Sequence, residues 1–282
     1  MRHGASAILI LGLSCVAAEA AHAEAGTTLA AYLAQSPKQQ FFLPLGLTEI
    51  SGLAVASYGS VYAHDDNFGI VYEIELDSGK VVKAFALGKP TVKGDFEDIA
   101  VRDGYVYLLT SDGRIFEAPM GEHRQRVHYN VYDTGVGEHC ETEGLANGPT
   151  DDEFLILCKQ PRDSSYKNRL VIYAWNLRDH TPTVTPWLNV PLAGLVKDLD
   201  QANFHPSAFA WRRDKGALMI ISAKSYSAIE IDLKGRLIDR IRLDKHLHPQ
   251  SEALALMPDG RLIVGDEGPR GRGKLTIYAP PR

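Results

Sequence analysis

Carboxylates recur in this chain at positions that a ring of repeats would bring together. The phrase EISGLA at Glu49 returns as DFEDIA at Asp95, ETEGLA at Glu141, HPSAFA at His205 and QSEALA at Gln250, with first positions 46, 46, 64 and 45 residues apart. Its first and third positions carry Glu49 and Ser51, Asp95 and Glu97, Glu141 and Glu143, His205 and Ser207, then Gln250 and Glu252. Acids crowded about one axis repel one another until protons, Lys or Arg side chains, or a metal neutralise them. A hard divalent cation is the natural partner. Calcium takes several oxygen ligands at flexible geometry, whereas zinc prefers His and Cys. The structural alternative is that an acid at a strand start accepts backbone N–H bonds and fixes the turn.

Other groups join the same mouth if the loops open on one side: His64, Asp65 and Asp66, then Asp112, Lys159, Arg162 and Lys224, then Asp266 and Glu267. His64 and His205 are candidates for proton transfer. Lys159 and Lys224 neutralise acids or hold phosphate. Ser207, Asp66, Asp95, Glu141 and Asp266 complete the candidate ligand-binding set. Specific catalytic markers are missing: there is no G-x-S-x-G elbow, no H-E-x-x-H and no C-x-x-C-H. The run GPRGRG from Gly268 lies between two strand-like segments rather than opening a helix, so it is not a dinucleotide fingerprint, and Arg270 and Arg272 hold an anion or form a basic hairpin tip.

The elements that must position these residues are strands. A period in the forties with β-rich content marks propeller blades. In the first repeat the segments Ile50–Val55, Ser60–His64, Ile70–Leu76 and Lys80–Leu87 are divided by Tyr58-Gly59, Asp66-Asn67 and Asp77-Ser78-Gly79, which favour tight turns. The fifth repeat has Arg261–Gly265 and Lys274–Tyr278 but no fourth strand, and the apolar segment Phe41–Leu45 before the first repeat can supply it. The expectation is an all-β chain, a five-bladed β-propeller of four-stranded antiparallel blades, closed by an N-terminal strand and free of edges. A short helix over Leu29–Gln35 should pack outside the ring. The third repeat's excess goes to a loop at Gln160–Asn168 and a helix-like insert at Leu192–Gln201.

At 282 residues and 45% hydrophobic content the chain can bury one large core, and its net charge of −5 argues against general affinity for nucleic acid. Residues 1–23 read as a signal peptide, with an apolar run from Ala5 to Ala18 before Ala21-His22-Ala23. Cys15 raises a lipoprotein reading, but the Gly12-Leu13-Ser14-Cys15 context lacks the usual leucine. Residues 24–40 are then an N-terminal extension and 41–282 the propeller, in a periplasmic or secreted protein with no transmembrane segment after cleavage. Cys140 and Cys158 remain, and a hairpin of Glu143–Ala146 and Glu153–Cys158 puts them together at its open end, where a disulfide is expected.

The phrases E-x-S-G-L-A, D-F-E-D-I-A, E-x-E-G-L-A and x-x-E-A-L-A, in that order, resemble the SdiA-regulated or YjiK-like family of bacterial propellers over about Phe42–Tyr278. More distantly they are similar to esterase-like phytase domains. The resemblance implies a metal set of Glu49, Glu97, Glu143 and Glu252 with Asp65 and Glu267. His205, Ala208 and Ala253 depart from the pattern. The expectation is a monomeric exported propeller binding calcium and a small or anionic ligand. The alternatives are a metal-dependent hydrolase with Glu97 or Glu143 as base, and a periplasmic interaction scaffold.

Overall fold

The computed structural model describes residues 27–268 and 271–281. The segment expected to be a signal peptide, Cys15 and Arg270 lie outside the described residues. Twenty of the strands form five four-stranded antiparallel blades. Blade one is Ile50–Ser57, Ser60–Asp65, Ile70–Glu75 and Val81–Leu87; blade two is Phe96–Arg102, Tyr105–Thr110, Arg114–Pro119 and Asn130–Asp133. Blade three is Cys140–Asn147, Glu153–Pro161, Arg169–Asn176 and Leu188–Pro191; blade four is Ala208–Arg212, Ala217–Ser222, Ser227–Asp232 and Leu237–Arg242. Blade five joins Ser251–Leu256, Leu262–Asp266 and Lys274–Tyr278 to Gln39–Phe42, which pairs with the last of these and closes the ring. The closing strand begins two residues before the expected Phe41 and ends at Phe42, ahead of Pro44, which has no N–H for a ladder.

Strand alternation divides each blade between two neighbours. Leu218 and Ile220 pack toward blade three with Leu155 and Leu170, while Met219 and Ile221 pack toward blade five with Leu254 and Val264. Five apolar clusters result, one at each contact between blades. This is the period-two pattern of a sheet buried on both faces. Fully burying one such Leu or Ile stabilises by roughly 1.5–3 kcal/mol.

Two departures matter for the site. Blade two makes an excursion, and its Arg126–Val127 segment adds in parallel to the outer strand of blade one, covering that edge. In blade three the helical insert is shorter than expected: Leu192–Leu195 is α-helical and Gln201–Asn203 a single 3₁₀ turn. Asp198, held at φ +66°, breaks the path between them.

The N-terminal helix is Leu29–Leu33, capped by Thr28, whose Oγ1 accepts the Ala31 N–H at 3.2 Å. It rests on blades four and five over a buried ion pair. Arg212 Nη1 lies 3.1 Å from Glu230 Oε1, Glu230 Oε2 accepts the Leu29 N–H at 2.6 Å, and Arg212 also donates to the Thr27 carbonyl. Among the described residues no helix is long and apolar enough to cross a membrane. A disulfide joins Cys140 to Cys158, with Cα atoms 5.8 Å apart.

Candidate functional site

In four of the five inner strands the ladder skips one residue where the repeated phrase reaches its third position. Ile50 pairs with Asp65 and Gly52 with His64, which leaves out Ser51; the same break leaves out Glu97, Glu143 and Glu252. A β-bulge re-aims the side chain of its extra residue. Blade three has a second break on the facing strand, because Glu141 pairs with Gln160 and Thr142 with Cys158, leaving Lys159 unpaired. Lys159 Nζ thereby comes within 2.8 Å of Glu143 Oε2 and 3.8 Å of Glu141 Oε1. The nearer contact is ionic and lacks the alignment of a good hydrogen bond.

Negative charge outweighs positive at this mouth. The Glu143 side chain is 3% exposed, and burial pushes its carboxyl well above the usual range although Lys159 opposes the shift. Burial, then Glu143, pushes Glu97 upward as well. Glu252 is raised to about 8 by burial and then by Glu267; Glu267 is raised to about 7 by burial and then by Asp66 and Glu49. Burial works against charge on Lys159, but Glu143, Glu97 and Glu252 outweigh it and hold the ammonium above its ordinary range. A single ammonium thus serves four glutamates.

A second acidic group lies on blade one. One carboxylate oxygen from each of Glu49, Asp65 and Asp66 falls within 4.8 Å of the others, the one such triplet among the described residues. Asn67 Nδ2 donates to Glu49 Oε2 at 2.9 Å and also to Asp66 Oδ1. Burial, then Glu49, Asp65 and Asp95, raises Asp66 to about 7. The six carboxylates implied as a metal set therefore do not gather in one sphere. Glu49 and Asp65 stand with Asp66, whereas Glu97, Glu143 and Glu252 cluster around Lys159, and Glu267 feels both groups. Oxygen ligands alone are on offer, which suits calcium better than a transition metal.

The remaining candidates have varied placements. Asp95 is exposed and accepts the Ser111 hydroxyl at 2.5 Å. Lys224 is exposed and forms no ion pair among the described residues, and His205 is half-buried, its pKa lowered by burial and by Lys224 and Lys159. Ser207 is turned to structure: its hydroxyl donates to the Ser251 carbonyl at 2.7 Å and accepts the Ala223 N–H at 2.9 Å. Asp266 is fully buried, bonded to His248 Nδ1 at 2.9 Å and to the Ser251 hydroxyl at 3.1 Å. His64 lies beneath the rim with no exposed surface, and burial lowers its pKa to about 4, so its ring is neutral at pH 7. Arg272 donates from Nε to the Leu43 carbonyl at 2.5 Å and so fastens the closing strand.

Asp98 went unnoticed in the sequence. It sits inside the second copy of the phrase, buried, with its two oxygens accepting the Ile99 and Leu145 N–H groups at 2.7 Å each. The only sequence hint is an acid at the fourth position, where the other copies have Gly or Ala.

Beside the acids, the extra length of blade three builds a cleft of about 310 Å³ lined by Lys159, Lys167, Arg169 and His205 above Leu192 and Phe204. Arg169 is held in place through its Nη2 donating to the Asn189 carbonyl at 2.8 Å. Lys159 is shared between the cleft and the acids.

No protein-family profile and no curated protein matches the chain. Among solved structures, a luciferin-regenerating enzyme is similar at TM-score 0.53 and 12% identity, over 86% of this chain and 95% of that one. A streptogramin B lyase aligns at TM-score 0.47 and 13% identity, covering 85% of this chain and 86% of that one. A nidogen/laminin complex aligns at 0.45 and 15%, covering 77% and 72%. The first of these likenesses supports the propeller fold and nothing finer.

Proposed function

We propose that the rim binds a divalent cation, calcium by the chemistry of its ligands, together with a small anionic ligand seated in the blade-three cleft. One observation carries the reading: bulges turn Glu97, Glu143 and Glu252 to a mouth where Lys159 is the cation they share, beside the Glu49, Asp65 and Asp66 group. Carboxylates whose pKa values are raised hold protons at neutral pH, and a bound cation replaces those protons. Lys159, Lys167 and Arg169 outnumber Asp163, the acid that also lines the cleft, and favour an anion there, while Leu192 and Phe204 accept an apolar part.

The test is calcium titration followed by thermal unfolding and calorimetry, since a ligand confined to the folded state raises its stability. Saturable calcium binding that weakens in Glu97→Gln and Glu252→Gln supports the reading. No shift at millimolar calcium or magnesium sinks it.

The cleft favours a second reading, metal-dependent hydrolysis. A bound cation would polarise an ester or phosphoryl oxygen. Glu97 or Glu143 would then take a proton from the attacking water, and Lys159 would steady the anionic product. A Glu143→Gln protein with full turnover removes Glu143 from that role. We place the chain with the exported SdiA-regulated propellers on its repeated phrases, and the disulfide supports an oxidising compartment.

A further inference from the structure

Lys159 borders two features at once. On one side its Nζ lies 2.8 Å from Glu143 Oε2 and 3.8 Å from Glu141 Oε1, and the charges of Glu97 and Glu252 act on it as well. On the other side it lines the blade-three cleft with Lys167, Arg169 and His205, where Asp163 is the acid present.

Its hold on the acids is strong in charge and loose in geometry. The Glu143 side chain is 3% exposed, and its Oε2 has no aligned hydrogen bond despite the ammonium beside it. Buried polar atoms are nearly always paired, so that oxygen is short of a partner. Lys159 is one-third exposed and its ammonium ends a flexible four-carbon stem, so it can leave Glu143 without moving the strand. A divalent cation carries twice the charge of an ammonium and gathers several carboxylate oxygens at once. Glu143 Oε2 has essentially no accessible surface, so such a cation reaches it only by taking the place of the Lys159 Nζ.

We infer, on the reading of rim and cleft given above, that Lys159 couples the two sites: a divalent cation at Glu143 displaces the ammonium, which turns into the cleft and pairs with the anion. Lys167 and Arg169 face the anion in either state, and Lys159 adds its charge only once the rim is filled. Cation and anion then bind with positive cooperativity, each raising the affinity of the other by one common factor.

The test is calorimetric titration of the full chain with benzenesulfonate, an anion with an apolar ring for Leu192 and Phe204, in chelator and in saturating calcium. Calcium is titrated in turn with and without benzenesulfonate. Calcium should tighten benzenesulfonate binding roughly tenfold, within the usual range of coupling between sites, and benzenesulfonate should tighten calcium binding by the same factor. In Lys159→Met both ligands should bind and the coupling should vanish. Amine acetylation at Lys159, read by mass spectrometry, follows the exchange without any variant: calcium should speed it and added benzenesulfonate should slow it again. Failure of either ligand to bind would sink the two sites and the exchange together. Two saturable ligands with no mutual effect, a coupling that survives Lys159→Met, or acetylation that calcium does not speed would overturn the exchange and leave the two sites standing.

Discussion

Lys159 Nζ stands 2.8 Å from Glu143 Oε2 because each residue is the unpaired member of a bulge on facing strands of one hairpin. Neither strand alone would place its side chain there. The pair is therefore a product of register, and it sets the charge of the channel mouth.

Lys159→Met should leave Glu143 buried without its partner and lower stability by about 2 kcal/mol, less than the roughly 3–5 kcal/mol for breaking a fully buried pair, because Lys159 is one-third exposed and Glu143 can take a proton. Calcium should bind the variant more tightly and anions more weakly. Urea denaturation and paired titrations check both signs.

Stability in chelator should fall as pH rises. Glu252 moves from 4.5 to about 8, Glu267 from 4.5 to about 7 and Asp66 from 3.8 to about 7 on folding. The folded state thus holds protons that the unfolded chain releases, so the advantage is complete below about pH 4 and is lost as pH climbs through 7 to 8. Thermal melts from pH 5 to 8 should show a declining Tm, and millimolar calcium should flatten the decline.

Asp98→Asn should cost about 2 kcal/mol, because an amide NH₂ faces one of the two N–H groups that the carboxylate now accepts. The Leu145 bond crosses from blade two to blade three. Melting should occur at lower temperature while calcium affinity of the folded protein stays the same.

Removing residues 27–33 should destabilise by about 3 kcal/mol or more, since the Arg212–Glu230 pair then loses the Thr27 carbonyl and the Leu29 N–H inside the protein. Chemical denaturation of the shortened chain measures it. A loss below 1 kcal/mol would show that the pair does not depend on that segment.

Reduction of Cys140–Cys158, or Cys158→Ser, should cost about 3 kcal/mol for the 18-residue separation. Denaturation with and without reductant gives the difference.

The blade plan was legible because strand alternation and turn residues are local. Lys274–Tyr278 matches the expected strand end to end, and Ser60–Asp65 and Ile70–Glu75 differ from the expected Ser60–His64 and Ile70–Leu76 by one residue each. The inner-strand bulges were not legible: whether Glu143 pairs or is skipped depends on a partner strand, and no residue type in ETEGLA announces the skip. Asp266 and Ser207 looked like rim residues by position, yet their partners His248, Ser251 and Ala223 come from elsewhere in the chain and draw them into buried hydrogen bonds. Pattern located the rim. Only packing decides which of its polar groups stay free.

The pairing of Gln39–Phe42 with Lys274–Tyr278 has a consequence for synthesis. The closing strand waits for Lys274–Tyr278, more than two hundred residues later in the chain, so blade five cannot form until that segment has left the ribosome. Until then every intermediate presents an open sheet edge, and a chaperone that shields such edges has its longest task at the start of this protein.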